Sequence, residues 1–237
     1  MVLTDFYQQS DDQIRFSRRQ ASRFAKEMAN DFNPLHDTDA KMFCVPGDLL
    51  FSVSLDRLGL SQQMRFTFSG MVSDEAVIFP DSDARQIDIS DSSGKCCLTI
   101  ERQGETTRNA ELIKHLVTHY VAFSGMTFPH VLVPLMAEQG VMINPTRPLA
   151  IYQQMEIHLD RLDLSEPVLE AADSSFEVSG KKGMVRFDFR IVDNDEPVGK
   201  GAKHMSLRGL QPFDDRAMAE LVEEYNGYRE RYRQQGE

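Results

Sequence analysis

The sequence predicts an α+β fold in which two similar units follow one another, each wrapping an antiparallel sheet around a buried helix. Three observations predict it. Apolar residues alternate strictly at Met64, Phe66 and Phe68 and again at Val185, Phe187, Phe189 and Ile191, the two-residue period of half-buried strands. Residues 47–58 and Val131–Val141 are instead apolar nearly all round, as buried helices are. Finally, Gln62-Gln63-Met64-Arg65-Phe66-Thr67-Phe68 is echoed by Gln153-Gln154-Met155-Glu156-Ile157-His158-Leu159, each after one of those buried stretches. A repeat at this separation suits a duplicated domain, since solenoid repeats run about 20 to 50 residues.

The elements follow in order. Ser17 caps a helix whose apolar positions Ala21, Phe24, Ala25 and Met28 recur at helical spacing, ending near Asn30. Asn33 and Pro34 make a turn, after which Leu49, Leu50, Phe51, Val53, Leu55 and Leu58 form the first buried helix, stopped by Gly59. Strands are expected around Met64–Phe68, at Ile87 and Ile89, and at Cys96, Leu98 and Ile100, with a turn at Ser92–Gly94 between the last two. Arg102, Gln103, Gly104 and Glu105 break the pattern and place the joint between the units there. The second unit opens with an amphipathic helix carrying Leu112, Ile113, Leu116, Val117 and Tyr120, and continues with a buried helix at about 129–140. Strands follow at Met155–Leu159, Val185–Ile191 and Val198–Leu207. Asp214 or Asp215 starts a C-terminal helix bearing Met218, Leu221, Val222, Tyr225, Tyr228 and Tyr232, with Arg229, Arg231 and Arg233 at the negative end of its dipole. The units are thus 1–104 and 105–210, with a helical extension at 211–237.

Charge narrows the partners. With 26 basic against 37 acidic residues the formal net charge is -11, which repels phosphate backbones and anionic headgroups. Nucleic acid and membranes are therefore not expected partners. No apolar run reaches the roughly 18 residues of a membrane span, and Met1–Ser10 lacks the basic-then-apolar layout of a secretory leader; the expected location is the cytoplasm. Of the three cysteines, Cys96 and Cys97 are adjacent in an expected strand and point to opposite faces, which leaves Cys44 without a disulfide partner. His115 and His119 share a helix face, but no Glu or third His stands at a supporting spacing, so no metal site is expected.

The constellation that carries chemistry is Asp31-Phe32-Asn33-Pro34-Leu35-His36. A carboxylate and an imidazole across a rigid turn can meet in one cleft, where fixing one ring nitrogen leaves the other free to handle a proton. The bland alternative is that Asp31 merely bonds nearby backbone N–H groups to close the turn.

This stretch resembles the Asp-x-Asn-Pro-Leu-His segment of MaoC-like (R)-specific enoyl thioester hydratases of the hotdog superfamily. The resemblance implies a tandem (double) hotdog with long central helices, and catalysis by Asp31 and His36, which would activate water for addition to a 2-enoyl thioester. Asn33 would shape the substrate-side turn, and the backbone N–H near Gly47, at a helix start, would polarise the thioester carbonyl. Pro46 stands where the family has His, and Gly47 is reached over a shorter loop. In the second half, Pro129-His130-Val131-Leu132 and Gln139 resemble the beta-hydroxyacyl carrier-protein dehydratases. Their catalytic glutamate falls on Leu135, which implies a chemically silent half whose His130 contacts bound ligand. The implied partner is an acyl thioester of coenzyme A or acyl carrier protein, with no cofactor, and a homodimer is compatible with this reading. The alternative function is a non-catalytic acyl-thioester-binding or regulatory protein.

Overall fold

The computed structural model describes residues 3–235. A short hairpin, β1 (Gln8–Ser10) and β2 (Gln13–Arg15), precedes α1 (Arg18–Arg23), which continues as a π-helical turn over Phe24–Met28. Ser17 caps α1 in a full capping box with Gln20. A 3-10 turn at Pro34–His36 leads to α2 (Gly47–Leu58), then β3 (Leu60–Phe68), β4 (Ala76–Ile78), β5 (Gln86–Asp91) and β6 (Cys96–Thr107). The chain goes on through α3 (Ala110–Gly125), α4 (Thr127–His130), α5 (Leu132–Glu138), β7 (Val141–Met142), β8 (Ala150–Leu159), β9 (Val168–Ser179), β10 (Lys182–Asp193), β11 (Glu196–Arg208), β12 (Gln211–Pro212) and α6 (Asp215–Gln235).

Ten strands form one sheet in the order β1-β2-β4-β5-β6-β3-β8-β11-β10-β9, and β12 pairs with β7 separately. All of these pairings are antiparallel. The two echoed segments meet at its middle: β3 pairs with β8, with Met64 opposite Ile157 and Phe66 opposite Met155. These four side chains are fully buried and point into the core that α2 fills. Along α2, Leu49, Leu50, Phe51, Val53, Leu55 and Leu58 are all buried, and Phe51 packs edge-on to Phe66 and tilted against Tyr120 of α3. An apolar-all-round helix needs such cover on every side.

One expectation needs correction, and one pattern break has a physical reason. The break at Arg102–Glu105 does not interrupt a strand: β6 runs straight through it, with Gly104 at a φ of 82° while Gln62 bonds across to the Glu105 N–H. Arg102 is buried because its guanidinium donates to the carbonyls of Leu58, Ser82 and Ala84. Nor is 129–140 a long buried helix. It is two short helices, α4 and α5, and in α5 only Leu132 and Met136 are buried. The long, well-covered helix of this half is α3, with Leu112, Ile113, Leu116, Val117, Tyr120 and Val121 inside. Among the described residues, no helix is long and apolar enough to cross a membrane.

Candidate functional site

Local chemistry throws His36 back onto Asp31. The π turn ends with Ala29 N–H donating to the Phe24 carbonyl at 3.2 Å and Asp31 N–H to that of Ala25 at 2.8 Å. Asn30, between them, takes a left-handed φ of 51°, which Asn tolerates better than most residues. Two consecutive Asx turns follow. Asp31 Oδ1 accepts from Asn33 N–H at 2.9 Å, and Asn33 Oδ1 accepts from Leu35 N–H at 3.1 Å. Pro34 then opens the 3-10 turn on which His36 sits.

The two candidate side chains come together: His36 Nε2 lies 3.6 Å from Asp31 Oδ2. That is too long for a direct hydrogen bond, yet it suits one water held by both groups. The His36 side chain is only 11% exposed, whereas that of Asp31 is 33% exposed and so forms the outward side of the pair. The other ring nitrogen, Nδ1, is 2.7 Å from the Cys44 carbonyl oxygen. A carbonyl can only accept, so Nδ1 carries a hydrogen and Nε2 is the ring nitrogen that faces the space beside Asp31.

The loop after the motif is pinned from α1 and its π turn. Lys26 Nζ meets Asp37 Oδ1 at 2.6 Å and also donates to Ser22 Oγ, while Arg18 donates to the carbonyls of Thr38 and Ala40 and lies over the Phe43 ring. Cys44 N–H donates to the Leu35 carbonyl and Val45 N–H to that of Val72. Sequence reasoning treated Cys44 as a spare thiol. Its backbone carbonyl is what sets the His36 tautomer, and burial pushes the thiol itself up to about 11, far from a reactive thiolate.

Gly47 opens α2, where first-turn N–H groups have no helical acceptor. A Cβ at this position would collide with the Tyr152 ring, which is itself tilted against Phe68 with ring centroids 4.4 Å apart. The niche beside Gly47 is therefore filled by an aromatic side chain.

One residue further on lies a cluster that sequence reasoning missed. Asp48 Oδ2 accepts from Ser124 Oγ, Lys203 Nζ bonds Ser124 Oγ, and Lys203 Nζ stands 3.9 Å from Asp48 Oδ1. Asp48 Oδ1 is buried without a hydrogen-bond donor in direct contact. The Tyr120 and Tyr152 hydroxyls bond each other, and Lys203 lies over the Tyr152 ring at 4.5 Å. Burial first, then nearby charge including Asp48, holds both phenols well above their ordinary range. The available signal was an ionisable residue, Asp48, at the head of an otherwise apolar helix.

The remaining expected contact is elsewhere. His130 ends α4 exposed to solvent, and no hydrogen bond or ion pair links it to Asp31 or His36. Leu135 is half-buried on α5, beside the small core formed by Leu132, Met136, Met142, Phe187 and Met218. One surface hollow is lined by Val133, Phe213, Met218 and Val222 and another by Ser61, Arg102 and Thr106; neither includes Asp31 or His36. Among the described residues, no three His, Cys, Asp or Glu side chains gather as a metal site would require.

Among solved structures, the chain is similar to an acyl-CoA thioesterase II, TesB2, from Mycobacterium marinum, at 10% identity over 90% of this chain and 100% of that one, with a TM-score of 0.44. It is similar to a conserved protein of unknown function with a hot dog fold from Alicyclobacillus acidocaldarius, at 8% identity over 90% and 99% of the two chains, with a TM-score of 0.47. A MaoC-like dehydratase matches at 10% identity over 87% of this chain and 99% of that one, with a TM-score of 0.42. Likenesses this distant do not choose between the reactions that these names describe. No curated protein matches the chain. Residues 1–216 match the family described as "Protein of unknown function (DUF3581)", and the chain belongs to that family.

Proposed function

We propose that this chain is a tandem hotdog protein that reversibly hydrates a 2-enoyl thioester, carried on coenzyme A or acyl carrier protein, in cytoplasmic fatty acid metabolism. The observation that carries the reading is the Asp31–His36 pair, 3.6 Å apart with Nδ1 committed to the Cys44 carbonyl. A water bound between Oδ2 and Nε2 would lose a proton to the pair as its oxygen adds to C3 of the enoyl group, and that proton would be delivered to C2. The thioester oxygen takes up negative charge in between, and the backbone N–H at Gly47 is the donor for it. No cofactor is needed for this balance of atoms. Asn33 supports the turn, and the exposed position of His130 suits contact with the carrier end of a ligand better than catalysis.

The mirrored strand order supports the tandem reading. From the centre outwards, β3-β6-β5-β4 on one side is matched by β8-β11-β10-β9 on the other. The offset that carries Met64 to Met155 also carries Phe66 to Ile157, so the pair Met64–Ile157 maps onto Phe66–Met155 with partners exchanged. Such an exchange is what a local twofold between units 1–104 and 105–210, with 211–237 as an extension, would produce, and it supports that division. One specific observation favours the second reading, a non-catalytic acyl-thioester binder: Tyr152 occupies the niche at Gly47. Loss of enoyl absorbance with crotonyl and longer 2-enoyl-CoA substrates tests the choice. The hydratase reading expects turnover that Asp31→Asn removes; acyl-CoA binding with no turnover at any chain length supports the binder instead.

A further inference from the structure

We propose that Tyr225, on the C-terminal helix, is a positioning residue for Asp31, so that α6 is part of the site. The inference rests on the hydratase reading for its kinetic form only. The Tyr225 hydroxyl donates to the Asn30 carbonyl at 3.2 Å and accepts from the Phe32 N–H at 3.3 Å. Those are the backbone groups immediately before and after Asp31. One phenol thus spans the residue that carries the carboxylate, at a point where Asn30 holds a left-handed φ of 51°. Asn enters that region more readily than most residues, and the Tyr225 bond to its carbonyl helps to hold it there.

The ring is as firmly seated as the hydroxyl. Tyr225 meets Phe32 edge-on at 6.1 Å and Phe128 at 5.0 Å. About two turns further along α6, Tyr232 packs on Phe32 at 5.9 Å, its hydroxyl donates to Glu27 Oε1, and Arg233 donates to Asn30 Oδ1 at 3.5 Å. Burial, and after it the charge of Asp31, pushes the Tyr225 phenol up to about 12; it therefore remains a donor at any working pH. With the clamp removed, the Asn30 carbonyl and Phe32 N–H bond solvent, the backbone relaxes, and the carboxylate shifts relative to His36 Nε2. Displacements of about 1 Å at reacting groups cost on the order of 100-fold in rate. Tyr225 lies beyond residue 216, where the family match ends.

The test is Tyr225→Phe, which keeps both ring contacts and deletes only the hydroxyl. For wild type with turnover, the expected result is a kcat lower by roughly 10- to 100-fold with KM unchanged. A merely structural tyrosine would lower the melting temperature and leave kcat per folded molecule alone, which would overturn the proposal. A readout independent of turnover is the set of nitrogen and proton resonances of the His36 imidazole. In Tyr225→Phe they are expected to move in the direction seen for Asp31→Asn. If wild type has no hydratase activity these resonances decide alone, and unmoved signals overturn the proposal. Should Tyr225→Phe fail to fold, Tyr225→Leu is read by the same two measurements.

Discussion

A carboxylate and an imidazole 3.6 Å apart are too far apart to bond and near enough to share a water, and two Asx turns with one proline set that distance. Asp31→Asn and His36→Ala are each expected to lower kcat by about 100- to 10,000-fold; Asp31→Asn should leave the denaturation midpoint nearly unchanged, whereas His36→Ala, which deprives the Cys44 carbonyl of its donor, should lower it. Because the proposed reaction has both groups act on one water, the double variant should be scarcely slower than the slower single one; steady-state kinetics on the three proteins checks this. The pairing was legible because the turn that brings the two residues together is local: Asp31 to Asn33, Asn33 to Leu35, and Pro34 before His36. Cys44, Tyr225 and the Asp48 cluster were not. Each acts through a group whose partner is distant in the chain or is a backbone carbonyl, and neither leaves a mark on composition or spacing.

Elements were legible where an apolar face had to be covered and illegible where solvent takes its place. α2, α3, β10 and β11 follow from periodicity because most of their apolar positions are buried. β9 was missed. It is the terminal strand of the sheet, and Glu170, Ala171, Ala172 and Asp173 are all exposed, so this stretch of its sequence does not alternate. The connection from β8 to β9 is tied down by Asp193 at the end of β10, which accepts from the backbone N–H groups of Ser165 and Glu166. Burial by itself would raise the Asp193 carboxyl, but those N–H groups, the Ser165 hydroxyl and Arg161 outweigh it and hold it below the ordinary range. A depressed folded-state value means that the contribution to stability is complete above the unfolded value of about 3.9. It is lost as pH falls through the lower, folded value. Urea denaturation at a series of acid pH values should therefore show a shallower loss of stability for Asp193→Asn than for wild type.

At the scale of the molecule, the β3–β8 pairing and the Asp48–Ser124–Lys203 cluster join the N-terminal and C-terminal parts of the chain. Lys203 on β11 and Asp48 on α2 are a nearly buried ion pair, with side chains 7% and 8% exposed. Removing one partner leaves an uncompensated buried charge. Lys203→Met is thus expected to cost about 3 to 5 kcal/mol, and adding Asp48→Leu should recover most of it, since apolar replacement of a whole buried pair is commonly near neutral. Equilibrium unfolding in urea measures both. The central antiparallel sheet with helices was legible from the echoed segments. The half-exposed α5 was not, because Val131–Val141 is as apolar as a buried helix and only the tertiary arrangement decides how much cover it receives.

The central claim is that Asp31 and His36 add one water to an enoyl thioester, and the most direct measurement is mass spectrometry of the products formed from crotonyl-CoA in oxygen-18 water. The account predicts a 3-hydroxyacyl-CoA carrying one heavy oxygen on its acyl chain, formed by wild type and absent with Asp31→Asn. Unchanged crotonyl-CoA, or heavy oxygen found only in a free carboxylic acid, would contradict it.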